Sequence, residues 1–254
     1  LSYFKDFPVI KVSIIIATFN AEKTLVKCLD SILQQTFLDR EIIIIDGDSK
    51  DCTRNILETY APHLTYWCSE PDAGIYDAWN KGISRATGEW ITFLGADDCW
   101  HDPDALQALV ALTKDDLDFV SARARLLTSN QQQIKVIGAP WNWKQMLRYQ
   151  NIAHPGALHH RRLFDLLGRF NISYRIAGDY EFLLRMPPET KTAYADRITV
   201  DFSADGASNT QISKVLRETR LIQSKHRSIG PLRAWQNYFI ALAKAQARNL
   251  VCRN

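Results

Sequence analysis

The sequence predicts an α/β fold: a mostly parallel sheet flanked by helices, with a helical C-terminal appendage. Three observations carry this. Lys11–Ile16 and Glu41–Ile45 are continuous apolar runs of the kind buried on both faces. Each is followed by a stretch with helical spacing, and a strand–helix–strand–helix order gives parallel pairing through right-handed crossovers. Acids recur at strand ends, Asp46 and Asp48 after one and Asp97 and Asp98 after another, which places them along one edge of the sheet, where open α/β folds hold their ligands.

The elements follow in order. The first run leads into Ala17-Thr18-Phe19-Asn20, and a helix is expected over 22–35 with Leu25, Cys28, Leu29, Ile32 and Leu33 on one stripe. The second run ends at Asp46-Gly47-Asp48-Ser49, before a helix over 51–60 and a strand over 64–68. A Pro-Asp-Ala-Gly turn then opens a short helix whose core stripe is Ile75, Trp79 and Ile83. On that helix Lys81 is a cation that either meets a phosphate in the crevice or is simply solvated.

Trp90–Leu94 is a buried strand that stops short of Asp97 and Asp98. Two adjacent acids repel unless something positive lies between them, and hard oxygen ligands suit Mg²⁺ or Mn²⁺ that share their shell with substrate phosphates. The same pair also serves as a turn before a helix over 102–113. Neither the Gly-rich dinucleotide fingerprint nor a phosphate-binding loop occurs. Strands over 117–121 and 133–137 flank a polar hairpin turn. Trp141, Trp143, Met146, Leu147 and Tyr149 then cluster as core, with sugar stacking as a second reading. His159 and His160 lie on a strand, and Asp179 and Glu181 open a helix, where acids also suit the macrodipole.

Composition bounds the function. The 254 residues, 46% of them hydrophobic, make one α/β domain over 1–210 (halves 9–121 and 122–210) and a basic amphipathic tail over 211–254. A net charge of +3 without a concentrated basic face excludes a nucleic-acid binder. Five scattered cysteines lacking a C-x-x-C pair read as reduced thiols of a cytoplasmic protein. No run is long enough to span a bilayer, and no signal peptide is visible. In the tail, nine Lys and Arg residues face only Glu218, and Leu232, Trp235, Phe239 and Leu242 recur at helical spacing. Such a helix suits the anionic inner face of a plasma membrane; packing back on the domain is the alternative.

Val12–Asn20, Ile45–Ser49, Asn80-Lys81-Gly82 and Gly88 through Asp98 follow, in order, the pattern of family 2 glycosyltransferases of the bacterial polysaccharide-biosynthesis type. The chain resembles that family closely over its first half and more loosely to about residue 210. The resemblance implies a GT-A fold, a nucleotide-diphospho-sugar donor (a UDP-sugar favoured), a saccharide or lipid-linked saccharide acceptor, and inversion by single displacement. It puts Ala96-Asp97-Asp98 in the place of the DxD-type motif, with Asp98 on Mn²⁺ or Mg²⁺ and Asp97 toward the donor's ribose or sugar. Ala17, Phe19, Asn20, Asp46, Asp48 and Lys81 complete the donor side. His154 aligns with an acceptor-side histidine and is expected at the metal or diphosphate, with Pro155 in place of the common Gln.

Gly178-Asp179-Tyr180-Glu181-Phe182 resembles the family's Glu-Asp-x-Asp/Glu-Leu segment, which makes Asp179 the general base and Glu181 the second candidate, the first acid being lost to Gly178. Gly47 stands where many members carry a base-contacting acid. Asp201–Ser208 resembles a closing Gly-Gly-x-Ser stretch, with Asp205 for the first glycine. Two other readings stay open. A catalytically silent nucleotide-binding or scaffold subunit fits the departures at Gly178 and Pro155. A sugar nucleotidyltransferase would open with a Gly-rich basic loop, which Ala17–Asn20 is not.

Overall fold

The computed structural model describes residues 11–114, 116–204 and 206–251; Asp205, Cys252 and Arg253 lie outside the described residues. In chain order the elements are β1 (Val12–Thr18), α1 (Leu25–Leu33), β2 (Arg40–Asp46), α2 (Thr53–Tyr60), β3 (Tyr66–Ser69), α3 (Ile75–Arg85), β4 (Trp90–Gly95) and β5 (Cys99–Trp100). Next come α4 (Ala105–Val110), β6 (Phe119–Leu127), β7 (Gln133–Ile137), α5 (Trp143–Met146), β8 (Leu158–His160) and α6 (Arg162–Leu167). The chain closes with α7 (Gly178–Arg185), β9 (Thr192–Ser203), α8 (Ala207–Thr210), α9 (Ile212–Lys225) and α10 (Gly230–Val251).

The nine strands form one sheet in the order β3-β2-β1-β4-β8-β6-β9-β5, with β7 paired to β6. β1 to β4, β6 and β9 all run the same way, because β8 lies antiparallel between β4 and β6 and β9 is parallel to β6. The short strands β5, β7 and β8 run against them. Register aligns the ends of the parallel strands: Thr18 pairs with Asp46, and Ala17 with Gly95. The two acidic loops therefore leave the same edge.

Alternation explains the isoleucine runs. Ile14, Ile16, Ile42 and Ile44 face one core, built with Leu25, Leu29 and Ile32 of α1 and Leu106 and Leu109 of α4. Ile15, Ile43, Ile45 and Phe93 face the other, with Trp79 of α3, Phe164 of α6 and Phe182 of α7. A strand buried on both faces is apolar at nearly every position, and the polar exceptions are paired, as where Ser13 Oγ donates to Glu41 Oε1 at 2.6 Å.

The first helices begin two or three residues later than the sequence suggests. Their polar starts are used between loops: Glu22 accepts from Cys52 N at 3.0 Å, Asp51 from Glu22 N at 3.1 Å, and Asp102 pairs with Arg197 at 2.7 Å. The α9–α10 hairpin packs on the domain through buried Ile222, Ile229 and Ala234. Leu232, Trp235, Phe239 and Ile240 stay exposed on its outer face. Among the described residues no helix is long and apolar enough to cross a membrane. The four described cysteines are free.

Candidate active site

A cavity of about 480 Å³ opens beside the C-terminal end of β4. Its wall combines Asp97 and Asp98 after β4, His154, Asp179 of α7, and residues of α9 and α10 such as Leu216, Arg220 and Tyr238. The sequence placed these groups in separate segments; the fold brings them to one space.

Asp98 is buried, and its Oδ2 accepts from Gly95 N at 2.8 Å. Burial, then the charge of Asp97, pushes its pKa well above the ordinary carboxylate range, against the pull of that N–H. Both carboxylates converge over Gly95. A Cβ there would lie 2.8 Å from Asp97 Oδ1 and 3.1 Å from Asp98 Oδ2, so only glycine leaves them room. The turn after β9 closes over the same pair: a Cβ at Gly206 would lie 3.5 Å from Asp97 Oδ2.

Asp179, on α7, lines the same cavity. Its Oδ2 accepts from Gln150 Nε2 at 2.9 Å, and its Oδ1 lies 3.2 Å from the Tyr76 hydroxyl. That hydroxyl donates its one proton at 2.6 Å to Ile176 O, the shorter contact. Burial raises the Asp179 pKa, and the bonds from Gln150 and the Tyr180 backbone N–H pull it back only in part. Neither Tyr76 nor Gln150 was expected from sequence. Gly178 is explained here too: a Cβ would lie 2.7 Å from the Tyr76 ring, so the acid seen at that place in the resembling motif has no room.

Glu181 is not in the cavity; its carboxylate faces Arg185 at 3.2 Å one helical turn on. His154 is, but stacked on Trp79 and Phe93 with ring centroids 5.4 and 5.8 Å away. Neither ring nitrogen has a partner, and burial pushes its pKa down to about 3, so it is a neutral imidazole with a free lone pair. His159 and His160 do lie on β8, and His159 fills the core between Phe119 and Phe93.

The donor-side loops form a second cluster. Asp46 is fully buried and accepts from Ser49 N at 2.9 Å, from the Ser49 hydroxyl, and from Ser69 Oγ at 2.6 Å. Ser49 Oγ in turn accepts from Asn20 N at 2.7 Å, and Asn20 Oδ1 accepts from Lys50 N. Asp46 thus organises the loop from beneath, while Asn20 and Asp48 hold its two left-handed positions, at φ 48° and 64°. Ala17 pairs in β1 and Phe19 is 63% exposed at the rim.

Lys81 is paired within its own neighbourhood. Its ammonium is held by Glu70 at 2.8 Å and Pro71 O at 3.0 Å and does not line the cavity. Arg175 does line it, against Gly74, where a Cβ would meet its Nη1 at 2.9 Å and φ is +113°. Nothing in the spacing around Arg175 announced this.

Residues 13–170 match the family model described as "Glycosyl transferase family 2". The chain belongs to that family. It is 34% identical over 210 residues, 80% of each chain, to a PGL/p-HBAD biosynthesis glycosyltransferase of Mycobacterium bovis. It is 30% identical over 213 residues to the chondroitin synthase of Escherichia coli, covering 80% of this chain and 30% of that one. Among solved structures, S. aureus TarS 1–349 in complex with UDP-GlcNAc superposes with a TM-score of 0.65 at 18% identity, over 91% of this chain and 71% of that one. The Pyrobaculum calidifontis mannosyltransferase PcManGT, in complex with GDP-Man and Mn²⁺, gives 0.62 at 20%, over 94% and 75%. The fold is GT-A, and the protein is a nucleotide-sugar glycosyltransferase.

Proposed function

We propose that this enzyme moves a sugar, with inversion, from a nucleoside-diphosphate sugar to an acceptor hydroxyl during assembly of a cell-surface polysaccharide or glycolipid. The observation that carries this is the meeting of Asp97, Asp98 and Asp179, from opposite halves of the chain, on one cavity.

Asp179 is the general base. A carboxylate with a raised pKa, held through Oδ2 by Gln150, takes the acceptor proton as attack proceeds, an effect worth about 10²–10⁴-fold. Arg175 faces the leaving diphosphate with a positive charge. The convergence of Asp97 and Asp98 over Gly95 would suit a divalent ion of the Mn²⁺ or Mg²⁺ kind, and His154, neutral with one free lone pair, lines the same cavity. Among the described residues no three His, Cys, Asp or Glu side chains form a closed metal cage, so the rest of the shell falls to the diphosphate and water. Such an ion, when bound, stabilises the charge growing on the leaving group.

Phe19 is the platform for the nucleobase, with Asp72 beside it. A Cβ at Gly47 would lie 2.8 Å from Asp72 Oδ2 and 3.4 Å from the Phe19 ring, so Asp72 fills from another loop the space an acid at 47 would take. The relatives named for PGL/p-HBAD biosynthesis and chondroitin synthesis, and the neighbour bound to UDP-GlcNAc, support a saccharide or lipid-linked acceptor and a UDP-sugar donor. The exposed apolar and basic outer face of the hairpin supports peripheral contact with an anionic membrane.

The test is calorimetric titration of nucleoside diphosphates, with and without Mn²⁺, into the wild type and Asp98→Ala. Tight binding of one nucleotide that requires both the ion and Asp98 is expected. Metal-independent binding together with no transfer would instead favour a silent binding subunit.

A further inference from the structure

We propose that Glu218, on the C-terminal hairpin, is a positioning residue for Asp179 and Arg175, so that the hairpin is a working part of the active site. The proposal rests on the reading of Asp179 as the base. The Glu218 carboxylate accepts three backbone N–H bonds, each at 2.9 Å: Arg175 N on Oε1, and Ile176 N and Ala177 N on Oε2. These donors lead directly into α7. The residue at its N-cap is Ala177, which has no side-chain acceptor to offer; Glu218 of α9 takes the N–H of Ala177 itself and of the two residues before it. A carboxylate is also the group that the positive end of a helix favours.

The clamped segment bears on Asp179 in two ways. It sets the first turn of α7, where Asp179 sits. It also fixes Ile176 O, which takes the Tyr76 hydroxyl proton, and the same hydroxyl abuts Asp179 Oδ1. Arg175 leaves the clamp with its side chain on the cavity. One carboxylate thus fixes a base, its neighbour and a cation.

Glu218 is the only acid in residues 211–254, against nine Lys and Arg. The hairpin's attachment does not depend on it. Buried Gln223 donates to Arg148 O at 3.0 Å and Tyr180 Oη at 2.9 Å, and accepts from Asn237 at 3.0 Å, beside the buried Ile222, Ile229 and Ala234. The clamp and the anchor are separate features.

The experiment is Glu218→Gln and Glu218→Asp in the full chain. Gln keeps the size but has one acceptor oxygen and turns an NH₂ toward N–H donors. For Glu218→Gln the expected result is faster amide hydrogen exchange at 175–177 and kcat lowered about tenfold, since small misplacements of reacting groups are costly. Tm should stay close to wild type, nucleoside-diphosphate affinity should fall less than kcat, since Arg175 alone of the clamped groups meets the diphosphate, and Asp should recover part of the loss. Wild-type kcat in Glu218→Gln, with Asp179→Asn inactive, overturns the positioning role alone. So does a loss of kcat matched by losses of nucleotide affinity and Tm, which would mark a merely structural residue. Wild-type turnover by Asp179→Asn would remove the base reading itself, whatever the exchange data show.

Discussion

Asp46 and Asp98 invite comparison. Each closes a strand flanking β1, or the turn just after it, at the same edge of the sheet, and each is buried. Asp46 is answered by the protein itself, through two serine hydroxyls and a backbone N–H. Asp98 has one N–H and a second acid beside it. Similar placements carry opposite chemistry: the first carboxylate builds a loop, and the second is left short of positive charge, which a ligand can provide. Position on the edge says where a site is. Satisfaction of the carboxylate says which acid serves it.

The comparison breaks first, if it is wrong, in activity. Asp98→Asn is expected to lower transfer by about 10²–10³-fold, the scale of several kcal/mol of lost charge stabilisation, whereas Asp46→Asn protein that remains folded keeps most of its turnover. Steady-state rates on both variants decide this.

Stability should then divide them in the other direction. Asp46→Asn leaves donors facing an amide and costs about 1–3 kcal/mol in denaturant melts. Asp98→Asn is expected to raise the Tm of metal-free protein by about 2–4 °C near neutral pH. The sign follows from its raised folded pKa: ionised Asp98 is penalised in the fold above that pKa, and the penalty vanishes below the unfolded one. The Asn advantage must therefore shrink as pH falls.

Gly95→Ala sharpens the contrast more finely, since its Cβ would strike both carboxylates. Metal-dependent nucleotide affinity should fall about tenfold, a loss of about 1.4 kcal/mol, with metal-free stability lowered less than by Asp46→Asn. The smallest effect expected is for Ser69→Ala, which removes one of Asp46's donors, at about 0.5–1.5 kcal/mol of stability and no change in nucleotide affinity.

Much of the architecture was legible because it is local. Isoleucine runs, stripes at 3.6 spacing and acids after strands each state their role within a few residues. The acids that line the cavity were legible only where they lie at such ends, as Asp97, Asp98 and Asp179 do. Spacing left Lys81 between a phosphate and solvent and did not show its ion pair with Glu70, eleven positions away. Gln150, Arg175 and Glu218 act through partners 29 to 43 positions distant or across the cavity, and no periodicity encodes such pairings. Glu22, Asp51 and Asp102 misled for the mirror reason: cap-like residues were used to tie loops together.

The contact between Gly178 and Tyr76 bears on how such a chain can change over generations. An acid at 178 and a full tyrosine ring at 76 exclude one another, since the first side-chain carbon would lie 2.7 Å from the ring. Reverting 178 alone is blocked, and shrinking 76 first strips Asp179 of a hydroxyl neighbour. The two positions are therefore coupled: an acid at 178 requires a smaller side chain at 76, and a smaller side chain at 76 removes the hydroxyl beside Asp179.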